Sequence, residues 1–267
     1  MKVISFVNLK GGVAKTTSVI NAAAILARIH KQRVLVVDAD SQCNLTDFLG
    51  VDNNDNFTLA DMLLEHPSGE CFPLQCIHKS DIPGVGVIPA SDRLMDLDLS
   101  KVSDGTIYPR CLEDLRTVLE NMPETVPATA PDFMLIDCPP AFNAASTAAL
   151  LASDEVIIPN KLDAFSLRGM ANLTRQIANM RLINPKLRLA GLLPTMYYRS
   201  DKIREAEAVL NRSGIPMFPH IRRTPKVDDM TFQGKPLLDT SPTCGAAKDY
   251  RHFVEELMLM KGGEQNV

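Results

Sequence analysis

The run from Val3 to Thr17 constrains this chain most. Val3, Ile4, Phe6 and Val7 form the kind of apolar, partly β-branched stretch that a parallel sheet buries on both faces. The run breaks at Gly11-Gly12 and passes into Ser18–Ala27, whose composition and apolar spacing are helical. A strand, a glycine loop and a helix entered through Lys15-Thr16-Thr17 make a phosphate-binding loop, in which backbone N–H groups and the helix N-terminus cradle a polyanion. The literal pattern G-x-x-x-x-G-K-[ST] is not met, because Leu9 and Ala14 stand at its two glycine positions. The run is instead Lys10-Gly11-Gly12-Val13-Ala14-Lys15-Thr16, with a second lysine five residues ahead of Lys15. Two adjacent glycines, two lysines and paired threonines have no common explanation in packing. A bound polyanion explains all of them.

Downstream, strands and helices alternate. Arg33–Asp40 reads as a second buried strand ending in Asp38 and Asp40, and Phe133–Pro140 as a third ending in Asp137. Further strands are expected at Gly84–Ala90, Asp154–Pro159 and Leu187–Pro194. Helices are expected at Thr58–Glu65, Thr106–Met122, Phe165–Ile183, Asp201–Asn211 and Ala246–Met260. Residues 52–56 read as a turn and Pro123–Pro131, with three prolines, as a loop inside one sheet. Alternation of this kind implies right-handed βαβ units and an α/β fold with a doubly wound, mostly parallel sheet flanked by helices. The 267 residues suffice for one large domain spanning 1–267. Carboxylates at the C-terminal edge of such a sheet stand where ligands bind.

Lys10 to Thr16 is a deviant Walker A motif, and with it the chain resembles the ParA/MinD family of dimerising ATPases. Asp38-Ala39-Asp40-Ser41-Gln42-Cys43-Asn44-Leu45-Thr46 resembles the family's V-D-x-D-x-Q-x-N-x-T segment, and Asp137-Cys138-Pro139-Pro140 its Walker B ending. The match is nearest to the short ParA proteins of chromosome and plasmid partition. It implies a Mg²⁺-dependent ATPase in which Lys15 bridges the β- and γ-phosphates, Thr16 ligates Mg²⁺ and Asp137 holds the metal's water shell. Gly11, Gly12, Val13 and Ala14 line the phosphates, and Thr17 reaches the α-phosphate. Asp40 orients the attacking water, and Asp38 supports loop and metal. Lys10 crosses a homodimer interface to the phosphates of the facing subunit, where Gly12 must stay small. Met217–Arg223 resembles the adenine-holding loop, with Pro219 and Ile221 as contacts, and Gln233–Pro236 matches a family turn.

Charge is uneven along the chain. Lys161–Lys235 holds 14 Lys/Arg against 6 Asp/Glu, an excess of +8 within a net charge of −4. A positive face is therefore expected from the C-terminal half. By the resemblance, ATP dimers bind nonspecific DNA through Arg199, Arg222, Arg223 and Lys226, with Lys161, Arg168, Lys202 and Arg204 nearby. A ParB-like centromere-binding partner would stimulate hydrolysis and release the dimer. The six cysteines, Cys71 and Cys76 included, show no C-x-x-C pair or zinc spacing. They read as reduced thiols of a cytoplasmic, nucleoid-associated protein. The first strand starts at once, which leaves no room for a signal peptide, and no membrane is expected as a partner.

Three other readings stand beside partition. A MinD-like membrane-surface ATPase that positions cell division needs a basic C-terminal helix face, where Lys261 is followed by no further base. A nitrogenase-iron-protein-like donor needs two cluster cysteines per chain. A ligase or synthetase of the same superfamily shares the phosphate loop.

Overall fold

Runs of Val, Ile, Leu and Phe form the strands because branched and aromatic side chains suit a pleated sheet covered on both faces. In a computed structural model of the chain, β1 (Lys2–Phe6), β2 (Val34–Asp38), β3 (His78–Lys79), β4 (Val85–Ile88), β5 (Phe133–Asp137), β6 (Glu155–Lys161) and β7 (Arg188–Thr195) build one sheet. The order is β3-β4-β2-β5-β1-β6-β7, parallel throughout except for β3 on β4 at the edge. The structure describes residues 1–54, 56–64, 73–97, 99–103, 105–122 and 130–262. The expectations for Glu65, Cys71, the loop through 123–129, the side chains of Arg168 and Lys261, and the tail after 262 lie outside the described residues.

Side chains alternate across the sheet into two cores. Val3, Val37, Met134, Ile136, Val156 and Ile158 face one layer of helices, which includes Cys111–Glu120, Ala144–Ala152 and Ala164–Met180. Ile4, Phe6, Val36, Phe133, Leu135 and Ile157 face the other, made chiefly by Lys15–Arg28 and Gly245–Gly262. The last helix spends its apolar side here. Tyr250, Phe253, Val254 and Leu257 are buried, and Phe253 meets Phe6 and Phe218 edge-on, with ring centroids 6.4 and 5.1 Å apart.

The register sets the functional edge. Phe6 and Asp38 both pair with Asp137, so the ends of β1, β2 and β5 coincide. β1 lies between β5 and β6, and the loop after it opens where the chain's connections diverge to either side.

Among the differences from the sequence reading is the helix Ala144–Ala152, where none is expected. The helix expected from Thr106 starts at Cys111, because Pro109 disfavours helical backbone at Tyr108. Ile107 is buried outside the helix, whereas Val118 is 43% exposed rather than part of the apolar face. A helix at Lys226–Gln233 went unread, although Pro225, Asp228, Asp229 and the left-handed Gly234 (φ 59°) are its start and stop signals.

Candidate nucleotide site

Beyond Val7 the backbone must turn from strand to helix within eight residues, and Asn8 organises the turn. Its Nδ2 donates to the Pro159 carbonyl at 2.7 Å and its Oδ1 accepts from the Lys10 N–H at 2.9 Å. Gly12 (φ 67°) and Ala14 (φ 65°) take left-handed conformations. Only the first is free of Cβ strain, which at Ala14 costs roughly 1–2 kcal/mol. Thr195, at the end of β7, donates to the Val13 carbonyl at 3.0 Å and fixes the loop from the far side. Of the four described non-glycine residues with positive φ, Ala14, Lys31, Cys43 and Met196, two line the adjoining cleft, Ala14 and Met196. A Cβ on Gly12 would meet nothing within 4 Å, so inside one chain its φ alone demands glycine.

The loop's two lysines behave differently. Lys15 is 7% exposed, and its Nζ donates to the carbonyls of Asn8 (3.2 Å) and Lys10 (3.3 Å), so the amine closes the mouth of its own loop. Burial lowers its pKa, with Asp137 pulling the other way. Lys10 turns outward to Asp163, Nζ to Oδ2 2.5 Å. The helix Lys15–Arg28 has no side-chain cap and no acid in its first turn, which leaves its N–H groups to a bound anion.

Asp137 is buried. Its Oδ2 accepts from the Thr16 hydroxyl at 2.6 Å, whereas its Oδ1 is buried with no hydrogen-bond partner. Burial, reinforced by the nearby Asp38 charge, raises its pKa far above the usual carboxylate range. An orphaned carboxylate oxygen beside a threonine hydroxyl is the hard, oxygen-only donor set that suits Mg²⁺. Asp38 directs its hydrogen bonds to the segment that follows it. Its Oδ2 accepts from the Thr46 N–H (2.9 Å) and hydroxyl (2.7 Å), its Oδ1 from the Asp40 N–H (3.1 Å). None of these bonds reaches the loop. Thr46 in turn accepts from the Ala90 N–H at 2.9 Å, so Asp38 folds the 40–46 segment and is raised to about 6 by burial. Asp40, part-exposed, holds the Gln42 N–H at 3.1 Å.

Past the loop lies a cleft of about 380 Å³, within the range of small-molecule sites. Ala14, Thr17, Thr195, Met196, Ile221 and Tyr250 are among its walls. Ile221, one of the two expected adenine contacts, lines this cleft. Pro219 is not among the lining residues, and its neighbour His220 stacks on Tyr197 at 3.9 Å.

The AAA domain family matches residues 1–189. The chromosome partitioning protein ParA of Caulobacter vibrioides is 32% identical over 270 residues, covering 99% of this chain and 97% of that one. The chain belongs to the ParA/MinD family of ATPases. Among solved structures, this family member superposes on cobyrinic acid a,c-diamide synthase of Mycobacterium smegmatis with bound ATP analogue and magnesium (28% identity, TM-score 0.79, covering 97% of this chain and 94% of that one). It also superposes on the cell division ATPase MinD of Pyrococcus furiosus (26%, TM-score 0.75, covering 97% and 99%).

The ATPase's basic candidates do not form one class. Arg199 and Arg223 are exposed, and backbone pairing of 197 with 221–223 brings their loops side by side (Tyr197 N–H to Ile221 O and Arg223 N–H to Tyr197 O, both 2.9 Å). Lys226 pairs with Asp229 at 2.9 Å on an exposed helix face, a solvent-screened contact that leaves it available. Arg204 is paired with Asp201. Arg222, its side chain half exposed, forks onto Asp249. Among the described residues no cluster of three or more metal-ligating side chains occurs outside this edge, and no helix is long and apolar enough to cross a membrane. Cys138, next to Asp137, is fully buried and its thiol is pushed up to about 12 by burial, unlike an exposed cluster ligand.

The residues that sequence reasoning missed are Asn8, Thr46 and Thr195. Each acts through a backbone group distant in sequence. Thr46 alone carried a signal, as the last position of the Asp38–Thr46 segment.

Proposed function

We propose that this ATPase partitions DNA, binding it as an ATP-held homodimer and leaving it on hydrolysis. The observation that carries the reading is the divergence of the two lysines: Lys15 is folded into its own phosphate loop, whereas Lys10, with a 36% exposed side chain, points out of it. A cation held at the rim is poised to exchange Asp163 for the phosphates of a facing subunit. ATP and Mg²⁺ are the cofactors. Thr16 and Asp137 would hold the metal, which when bound neutralises charge on the β- and γ-oxygens. Lys15 leaves the Asn8 and Lys10 carbonyls for the β- and γ-phosphates, and the N–H groups of residues 11–17 take up the rest of the triphosphate. Asp40, on a segment pinned by Asp38 and Thr46, orients the attacking water. The base enters the cleft beside Ile221.

Partition, rather than work at a membrane, is supported by the buried apolar side of the last helix and by the adjacent Arg199 and Arg223. The name of the Caulobacter relative supports it too. Two such faces on a dimer would contact phosphates without reading bases, at the nucleoid. A ParB-like centromere-binding protein is the expected stimulator of hydrolysis. The test is retention of arbitrary-sequence duplex DNA with ATP, ADP or no nucleotide, for wild type and Asp40→Ala. Retention should need ATP, fall steeply with salt, and persist longer in Asp40→Ala. Equal retention in all three nucleotide states would remove the proposal.

A further inference from the structure

Two consecutive residues of the last helix, Asp249 and Tyr250, fasten the two walls of the base cleft. On one wall, the Tyr250 hydroxyl lies 3.1 Å from Ser18 Oγ in the phosphate-loop helix, and both residues are buried. On the other, Arg222 brings the segment from Ile221 onward against the helix start. Its backbone N–H and Nε donate to Asp249 Oδ2 at 2.9 and 2.8 Å, and its Nη2 donates to Asp249 Oδ1 at 2.8 Å and to the Gly245 carbonyl at 3.2 Å. The fit is close, since a Cβ on Gly245 would stand 3.0 Å from Arg222 Cζ. Asp249 is largely shielded, its side chain 14% exposed. A bidentate, charge-assisted fork that also captures its own backbone N–H fixes orientation as well as distance.

We infer that Arg222 and Asp249 are positioning residues for the nucleotide base, setting the gap between Ile221 and the phosphate-loop helix, and that Arg222 makes no contact with DNA. This rests on the reading of the cleft as the base site. Ile221 is the link: its backbone N–H donates to the Pro194 carbonyl at 2.7 Å, its side chain is 3% exposed, and the next residue is the clamped arginine. With the fork broken, the segment from 221 onward keeps its pairing to 194–197 but loses its tie to the helix that carries Tyr250. The cleft then has no fixed width.

The test uses the full chain with Mg²⁺ and the fluorescent probes methylanthraniloyl-ADP and methylanthraniloyl-GDP. Asp249→Asn keeps the side chain's shape without its charge, and Arg222→Lys keeps the charge without the fork. Each should weaken the adenine probe about tenfold, the scale of one lost charge-assisted hydrogen bond, and narrow the preference over the guanine probe. A general loss of stability would not change that preference, and thermal melts accompany each variant. In DNA retention at saturating ATP, Arg222→Ala should leave the salt slope as in wild type; if that variant does not fold, Asp249→Asn decides through the nucleotide probes. Unchanged probe affinity and preference in Asp249→Asn would overturn the inference, as would a salt slope reduced by about one in Arg222→Ala. A wild-type protein that fails to bind the adenine probe would instead overturn the base-cleft reading on which it stands.

Discussion

At the phosphate end of the cleft, Asp38, Asp137 and Lys15 are buried charges supplied by strand tips and a loop contiguous in sequence. At the base end, Tyr197, Ile221, Arg222 and Asp249 come from three segments joined by surface pairs and backbone bridges. The first region buries ionisable groups at a desolvation cost that local hydrogen bonds only partly offset, and one Asp137 oxygen has no hydrogen-bond partner. The second holds geometry, and its charges are mutually satisfied. Affinity for a triphosphate belongs to one region, and fit to the base to the other.

Lysine substitution in the phosphate end should have the largest effect. Lys15→Ala is expected to lower ATP turnover on the order of 10²–10³, as for other lost donors to a developing negative charge. Lys10→Ala should lose a comparable factor, and in light scattering with ATP it should remain single. Wild-type-like turnover by a monomeric Lys10→Ala protein would end the cross-subunit role and merge the two lysines into one class.

Next in size is a pH effect confined to the same region. Asp38 at about 6, and Asp137 raised further, bind protons in the folded protein that the unfolded chain releases near the ordinary value of about 4. Stability of the nucleotide-free protein should therefore fall as pH rises from about 4 through those raised values, by up to about 1.4 kcal/mol per pH unit for each titrating group. Calorimetry should show the melting temperature dropping between pH 5 and 7 (roughly the window set by these groups), and Asp137→Asn should flatten the decline. A melting temperature that rose over that interval would refute the assignment.

Smaller effects belong to the base end and its surroundings. Arg199→Ala and Arg223→Ala should each reduce the slope of log affinity for DNA against log salt by about one, read from retention at several salt concentrations. Slopes equal to wild type would separate these residues from the DNA face. Smallest of all, Ala14→Gly removes a left-handed Cβ conflict at the price of a looser unfolded chain, so a stabilisation within about 1 kcal/mol is expected in chemical denaturation. A larger loss would mean that the Ala14 methyl, which lines the cleft, packs there productively.

The phosphate end was legible because its chemistry is local. Gly11, Gly12, Lys15 and Thr16 occur within six residues, and Asp38 and Asp137 end apolar runs that any parallel sheet would bury. The base end was legible only as a segment. Ile221 lines the cleft, whereas Pro219, two residues away, does not, and His220 between them stacks on Tyr197. Arg222 and Arg223 are chemically identical in sequence and both exposed, but the structure gives Arg222 an acidic partner. That partner is Asp249, 27 residues further on from Arg222.

Sequence alone determined the α/β alternation, the phosphate loop and the carboxylates that accompany it, since periodicity and contiguous motifs are short-range properties of the chain. Tertiary structure decided the partner of each charge: Lys15 inward on its own loop and Lys10 outward on Asp163, Asp38 committed to the 40–46 segment and Arg222 forked onto the last helix. The physical reason is that a charged side chain goes to the partner and dielectric it meets in space, and those are set by strand order and register rather than by neighbours in sequence.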